Sequence, residues 1–150
     1  MKTMFDDQVR QELVLRIGSL NKDLEAQWGK MNLFQMVKHN TYWNRWILGI
    51  DHPVYKQELI GKLFGKLGLK RMIKDEKPFD RNIPTSLPFK VKDTTGDLEA
   101  EKSKWISLTN EYSNFNNPDF IHDFFGKMTK DQIGILAYKH ADHHLRQFRA

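Results

Sequence analysis

Three of the six histidines lie within five residues of one another, in the stretch Tyr138–Phe148 near the C-terminal end. If this stretch is helical, His140 and His144 leave the same face about one turn apart. That spacing allows two imidazole rings to reach one metal ion. His143 points about 100° away from His144 and is the odd one out. The alternative is a surface cluster of polar residues on a C-terminal helix, and a third ligand would decide between the two.

Apolar residues repeat at intervals of three and four in five stretches, which is the period of a helix with one buried face. The pattern predicts helices at about 7–20, 33–48, 54–73, 98–115 and 130–148. Asn32 with Gln35 and Thr129 with Gln132 have capping-box spacing, which marks where two of these helices start. Residues 75–96 contain three prolines and should form an irregular segment of the kind that covers or wraps a site.

The third predicted helix is amphipathic. Its apolar face consists of Leu59, Ile60, Leu63, Phe64, Leu67 and Met72. A row of lysines, Lys62, Lys66, Lys70 and Lys74, is expected to lie opposite as a solvated face, with the helix covering one side of the domain. Basic amphipathic helices also lie on membranes, but three glycines weaken this helix, so the solvated face is the expectation.

His39 supplies the third candidate ligand. It interrupts a face of large apolar side chains on the second predicted helix, and His140 and His144 occupy the inner face of the last helix in the same way. Burying three imidazoles without partners would be costly, and one shared metal ion accounts for all three. We therefore predict that His39, His140 and His144 bind a divalent metal ion.

His39 lies near the start of the second predicted helix, whereas His140 and His144 lie near the end of the last one. The three rings can therefore meet only if these two helices run antiparallel. Together with a short link between the first two helices, this predicts an up-down-down-up four-helix bundle. The long connection between the second and fourth helices then supplies the crossover between two parallel helices. We predict an all-α fold in one domain, residues 1–150, with an extra helix and a long loop in the crossover.

Composition removes several classes of function. The chain has no cysteine, which excludes disulfides, cysteine-bound zinc, iron–sulfur clusters and thiol nucleophiles. A net charge of +5 is modest and is explained by a solvated basic surface, so neither nucleic acid nor a membrane is expected as a partner. No apolar run approaches the roughly 18 residues of a membrane span. The N-terminus lacks the apolar region of a signal peptide, and the expected location is the cytoplasm.

Three histidines leave a coordination position open, which is the catalytic and not the structural pattern. Neutral imidazoles suit zinc, nickel, copper or iron; we expect zinc or nickel first, with iron or manganese as further candidates. The open position would hold water, as in a hydrolase, or the thiolate of a small-molecule substrate. The ligand faces carry no carboxylate to act as a general base, which favours a bound group that is itself the nucleophile. A non-catalytic metal-binding stress-response protein is the third alternative.

Several residues are candidates for supporting the ligands. Gln35 and Tyr42 flank His39 on its helix, and Asp142 and Gln147 are placed to orient a ring, although Asp142 equally fits a surface role. Trp28 and Trp43 are candidate walls of the site, although ordinary core packing is the expected role of Trp43.

Four segments carry a family resemblance: Trp28-Gly29-Lys30-Met31, Gln35-Met36-x-x-His39, Phe124-Phe125-Gly126-Lys127 and Lys139-His140-x-Asp142-His143-His144-Leu145-Arg146-Gln147-Phe148. Together they resemble the DinB/YfiT-like metalloenzyme superfamily, and more closely a branch of it classed as a domain of unknown function. The last segment is specific, whereas the others are individually weak. The likeness spans nearly the whole chain.

The resemblance implies a four-helix bundle, usually a homodimer, with a divalent metal ion held at the positions of His39, His140 and His144. Relatives of known activity are thiol-dependent transferases and isomerases that use bacillithiol, mycothiol or glutathione, so the resemblance implies a thiol-dependent S-transferase. Two departures stand out. His122-Asp123 replaces the His-Pro expected before Phe-Phe-Gly, and Arg149 stands where glycine is common.

Overall fold

The computed structural model describes residues 1–150 and is mostly helical. Its five α-helices are α1 (Asp7–Ser19), α2 (Leu33–Leu48), α3 (Leu59–Met72), α4 (Leu98–Glu111) and α5 (Lys130–Gln147). Short 3₁₀ turns occupy Leu87–Phe89 and Tyr112–Asn114, and an antiparallel hairpin pairs β1 (Ile121–His122) with β2 (Gly126–Lys127). The predicted all-α class is confirmed, while the small hairpin was not predicted.

Side chains cap the helices where the sequence predicts. Asn32 and Gln35 form a reciprocal capping box at the start of α2, and Thr129 and Gln132 form one at the start of α5. Asp6 accepts hydrogen bonds from backbone N–H groups in the first turn of α1. Each cap satisfies donors that a helix start otherwise leaves without partners, and the predicted starts of these three helices agree with the structure.

Helices α2 and α4 run parallel. Near their starts, the Asn32 amide donates to the carbonyl of Thr94 at 2.7 Å. Near their ends, the Tyr112 hydroxyl donates to the Asn44 side-chain oxygen at 2.8 Å. Since each helix start lies beside the other start and each end beside the other end, the chain needs the crossover that the sequence predicts.

The other two directions follow from contacts at the helix ends. Lys102, early in α4, donates to the carbonyl of Leu20 after α1 at 2.6 Å, so α1 and α4 are antiparallel. The backbone N–H of Met4 donates to the carbonyl of Gly134 at 3.0 Å. This bond joins the start of α1 to the start of α5, so these two helices are parallel. The N–H of Gln27 donates to the carbonyl of Gln147, so α5 ends where α2 is about to begin. The helices therefore run up, down, down and up.

The core lies between these four helices. Side chains from every one of them are fully buried there, including Leu13, Ile17, Met36, Trp105 and Leu145. Because α4 packs against both α1 and α2, and α5 contacts the same two helices, the inner faces of α2 and α5 meet inside the bundle. That meeting is what brings the candidate ligands together.

Helix α3 departs from the prediction in two ways. It begins at Leu59 and not near residue 54, and its predicted inward face is wrong because the large apolar residues are exposed. The buried side of α3 consists of Gly61, Gly65 and Leu69. A Cβ at Gly61 or Gly65 would lie 2.3 or 2.1 Å from the carbonyl oxygen of Phe124. The helix therefore docks through its smallest residues, since only glycine allows the backbones to approach this closely.

Residues 75–96 wrap the bundle, as the irregular composition predicts. The Gln35 amide donates to the carbonyl of Val91 at 3.2 Å, and Lys38 pairs with Asp93 at 2.7 Å. None of the helices has both the length and the hydrophobicity that crossing a bilayer requires. At the far end of the chain, Arg149 has a φ of 60°. This left-handed conformation is unfavourable for a residue with a Cβ, which explains why glycine suits that position.

Candidate metal centre

His39 from α2 and His140 and His144 from α5 converge on one point. The ring centroids are 5.1 Å apart for His39 and His140, 4.9 Å for His39 and His144, and 4.7 Å for His140 and His144. One nitrogen from each ring lies within 4.8 Å of the others, so the three residues could hold a metal ion. The convergence agrees with the sequence argument, and ligation by these residues stays a prediction.

A backbone carbonyl sets the tautomer of His39. Its Nδ1 lies 2.9 Å from the carbonyl oxygen of Phe89, in the 3₁₀ turn of the wrapping segment. A carbonyl can only accept, so Nδ1 carries the proton and Nε2 presents a lone pair. Metal-binding histidines generally donate their second ring N–H in this way.

Gln147 orients His144. The His144 Nδ1 lies 3.0 Å from the Gln147 side-chain oxygen, and the Gln147 amide nitrogen donates to the carbonyl of Trp28 at 2.6 Å. Because the Trp28 carbonyl needs a donor, the amide oxygen of Gln147 must face the ring, and Nδ1 of His144 carries the proton. The close approach requires Gly29, where a Cβ would lie 2.6 Å from the Gln147 amide nitrogen. His144 therefore also presents Nε2 as a lone pair.

His140 is the third member of the group. Its distance from His39 and its hydrogen bonding indicate whether the residues fit a cation. Its Nε2 lies 3.1 Å from Nε2 of His39, close to the roughly 3.3 Å between two nitrogens on one tetrahedral zinc ion. Its Nδ1 is buried without a hydrogen-bond partner, and Trp43 stacks on the ring at 4.0 Å. If Nδ1 of His140 is protonated, its Nε2 lone pair faces that of His39, an arrangement that a shared cation stabilises. The donor set fits a divalent transition metal.

Burial keeps the three imidazoles neutral. It lowers the pKa of His39 and holds the pKa values of His140 and His144 well below the ordinary range, and neighbouring histidines, among them His143, lower the three pKa values further. Neutral imidazole is the form that binds metals. His39 and His144 are buried, whereas His140 keeps part of its surface exposed, so the group lies at the edge of the core on that side.

Asp142 and Gln35 do not hydrogen-bond the candidate ligands. Asp142 is buried, but it accepts from Arg16 at 2.8 Å and Arg146 at 2.7 Å and thus joins α1 to α5. Gln35 forms the capping box of α2, as its spacing from Asn32 predicts, and its side chain hydrogen-bonds the backbone of Asn32 and Val91, not His39. Tyr42 is exposed. The hydrogen-bond partner of His39 is the Phe89 carbonyl, which no sequence pattern marks because every residue has a backbone carbonyl.

His143 and His122 are two of the three histidines that lie outside the group. His143 is buried, with its ring 5.1 Å from that of His144 and 5.5 Å from Trp28. His122 accepts at Nδ1 from the backbone N–H groups of Phe124 and Phe125, at 3.1 and 3.3 Å, so it shapes the hairpin. Trp43 borders the group because it stacks on His140, whereas the ring of Trp28 lies against His143.

A surface cavity of about 430 Å³ lies elsewhere, where the end of α2 meets α4. Its lining includes Arg45, Leu48, Leu108 and Phe115, and it contains no histidine. The cavity and the histidine cluster are therefore separate features.

Fold and site together define the class: an all-α bundle protein with three inward histidines that could bind a metal ion. Residues 5–150 match the family model described as "Protein of unknown function (DUF1569)", and the chain belongs to this family. No curated protein matches the chain. No solved structure matches it either.

Proposed function

We propose that the chain is a divalent-metal-dependent, thiol-dependent S-transferase of the DinB/YfiT-like superfamily, in which residues 1–150 form one domain. The observation that carries the proposal is the donor set: three neutral imidazoles with no carboxylate in the group. Zinc or nickel is the expected metal, with iron or manganese next. The C-terminal motif from Lys139 to Phe148 and the up-down-down-up bundle support the link to that superfamily.

His39, His140 and His144 would hold the ion through ring nitrogens. A divalent ion held by three neutral ligands would keep its full charge and would lower the pKa of a substrate thiol. The protein's own part is to fix the rings: the Phe89 carbonyl holds His39, and Gln147 holds His144. Rings held in this way lose little freedom when they bind a metal ion, and partners of this kind raise metal affinity.

The surroundings favour a thiol over water as the nucleophile. The polar neighbours that shift the pKa values of the three candidate ligands are other histidines, the Phe89 carbonyl and Gln147, with no carboxylate among them. A thiol needs no separate base once its proton is lost to solvent. In the transfer, the sulfur bonds to an electrophilic carbon of the acceptor. The bond from that carbon to chloride or to an epoxide oxygen breaks, and an opened epoxide takes up a proton.

The expected substrates are a low-molecular-weight thiol and a small electrophile, in the cytoplasm where such thiols stay reduced. The resemblance also supports a homodimer, which sedimentation equilibrium would detect as twice the chain mass.

The test is thiol consumption by metal-loaded protein. Zinc- or nickel-loaded protein is incubated with bacillithiol, mycothiol or glutathione and an epoxide or chlorinated acceptor, and free thiol is followed. We expect metal-dependent thiol loss that chelation abolishes and that His144→Ala removes. His143→Ala should retain it, because that ring is outside the group. Full metal occupancy without thiol loss for any pair would instead indicate a non-catalytic metal-binding protein.

A metal-dependent hydrolase is the second candidate, and His143 is the observation that favours it. Burial lowers the pKa of this ring, so it is neutral at pH 7 beside His144 and can accept a proton. The two candidates predict opposite effects of His143→Ala: hydrolysis would fall by about 10²-fold or more, whereas thiol transfer would persist. A hydrolytic rate with a midpoint near pH 7 that disappears on chelation would establish the hydrolase.

A further inference from the structure

Helix α3 presents an unpartnered apolar face. Five of its large side chains remain mostly exposed: Leu59 at 80%, Leu63 at 78%, Leu67 at 71%, and Ile60 and Phe64 at 56% each. Five such side chains on one helix form a patch comparable to the largest found on typical monomers, roughly 300–600 Å². Patches of that size generally mark an interaction surface.

The way α3 is attached explains why this face points outward. Gly61 and Gly65 seat the helix backbone directly on the carbonyl of Phe124, and the Gln57 side chain also donates to that carbonyl at 3.0 Å. The N–H of Glu58 donates to the carbonyl of Asp123 at 2.8 Å just before the helix. With its small face fixed to the protein, the helix cannot turn its apolar side inward without losing these contacts.

The charges of α3 are of one sign. Five basic residues lie between Leu59 and Lys74, and this stretch contains no carboxylate. At 100° per residue, Lys62, Lys66 and Lys70 follow one edge of the apolar stripe. Lys62 and Lys70 form no ion pair; Arg71 has only a loose one, 3.5 Å from Asp80. A stripe of leucine and phenylalanine bordered by lysine is the composition of helices that lie in a bilayer interface.

We propose that α3 docks the protein onto an anionic lipid surface, with the apolar stripe in the acyl boundary and the lysine row against the headgroups. Charge selects lipid over a second copy of the chain. An antiparallel pair of α3 helices related by a twofold axis would place two lysine rows side by side with no carboxylate between them. Anionic headgroups would instead neutralise each lysine. The expectation of a solvated face depended on the apolar residues turning inward, which they do not.

Vesicle flotation tests the proposal. The full chain is mixed with vesicles of phosphatidylcholine and phosphatidylglycerol at 70:30, or of phosphatidylcholine alone, in 0.15 M salt. We expect binding to the mixed vesicles and at least fivefold less to the neutral ones. The double variant Leu63→Gln, Phe64→Gln should bind at least tenfold less to the mixed vesicles, and Lys62→Gln, Lys70→Gln should lose most of the preference for anionic lipid.

Leu15→Gln is the matched control, because Leu15 is 75% exposed on α1 and should leave binding unchanged. All these positions are exposed, so helical circular dichroism and metal content should match the unchanged protein. Absence of flotation with mixed vesicles would overturn the proposal, as would an equal loss in Leu15→Gln. A dimer in analytical ultracentrifugation that Leu63→Gln, Phe64→Gln converts to monomer would also overturn it, because a second copy would then cover the face.

Discussion

Gln147 illustrates how a single residue prepares the candidate site. It accepts from His144 and donates to Trp28, so its amide fixes both the tautomer and the direction of the ring. Neither contact requires a metal ion to be present. Two of the three rings are therefore held in place, His39 by the Phe89 carbonyl and His144 by Gln147, which is itself bonded to the Trp28 carbonyl.

Replacing Gln147 with Leu should weaken metal binding without destroying it. The ring of His144 would keep its place on α5 but lose the acceptor that fixes its tautomer, and the Trp28 carbonyl would lose its donor. We expect a 10–100-fold loss of affinity, measured by competition with a chromogenic chelator. Gln11→Leu, on the exposed face of α1, is the control. An unchanged affinity in Gln147→Leu would show that the amide does not position the ring.

At the scale of residues, the sequence predicts which histidines face inward and that Gln147 is placed to orient a ring, but it does not predict what holds His39. His39, His140 and His144 interrupt apolar stripes, and helical periodicity alone places them. The Phe89 carbonyl lies 50 positions from His39 in the chain, in a segment with no periodic pattern. Whether the Phe89 carbonyl reaches His39 depends on how residues 75–96 fold over α2.

Helix α3 shows where periodicity misleads at the scale of elements. The spacing of Leu59, Leu63 and Leu67 predicts a helix, and the structure contains one. The same spacing suggests that these residues face inward, because pattern arguments assign the apolar side to the core. The opposite side carries glycines, whose hydrophobicity is low but whose size permits backbone contact. Size and not hydrophobicity determines how this element docks.

A pair of glycine substitutions tests that account. Gly65→Ala places a Cβ about 2.1 Å from the Phe124 carbonyl oxygen, so α3 must shift, and we expect a loss of about 1–3 kcal/mol in the free energy of unfolding. Gly18→Ala on α1 meets nothing within 4 Å and should stabilise the protein by up to about 1 kcal/mol. Urea unfolding measures both changes. Equal effects of the two substitutions would contradict docking through the glycine face.

At the scale of the whole molecule, the topology follows from one requirement. Rings on α2 and α5 can share a point only if those helices are antiparallel, and the short chain between α1 and α2 then fixes the remaining directions. The structure has this arrangement. The sequence predicts less well which helices are neighbours: α4 packs against both α1 and α2, and Trp105 of α4 and Tyr112 of the turn after it are buried.

The buried histidines also predict how stability depends on pH. Burial lowers the pKa of His39, His140 and His144 in the folded protein, while the unfolded chain takes up these protons near pH 6.5. The unfolded state therefore binds more protons below that pH, and the unfolding free energy of metal-free protein should fall as pH drops from about 7.5 to 5.5. Each histidine contributes up to about 1.4 kcal/mol per pH unit. Urea unfolding across this range checks the slope, and a flat profile would contradict neutral burial.

The proposed chemistry depends on His39, His140 and His144 holding one divalent ion. The decisive measurement is elemental analysis by mass spectrometry of protein purified without a histidine tag, with His144→Ala and His143→Ala measured alongside. We expect close to one metal ion per chain in the unchanged protein and in His143→Ala, and less than about a tenth of that in His144→Ala, because two imidazoles alone bind weakly. A metal-free unchanged protein that also fails to take up zinc or nickel, or equal metal content in all three proteins, would contradict it.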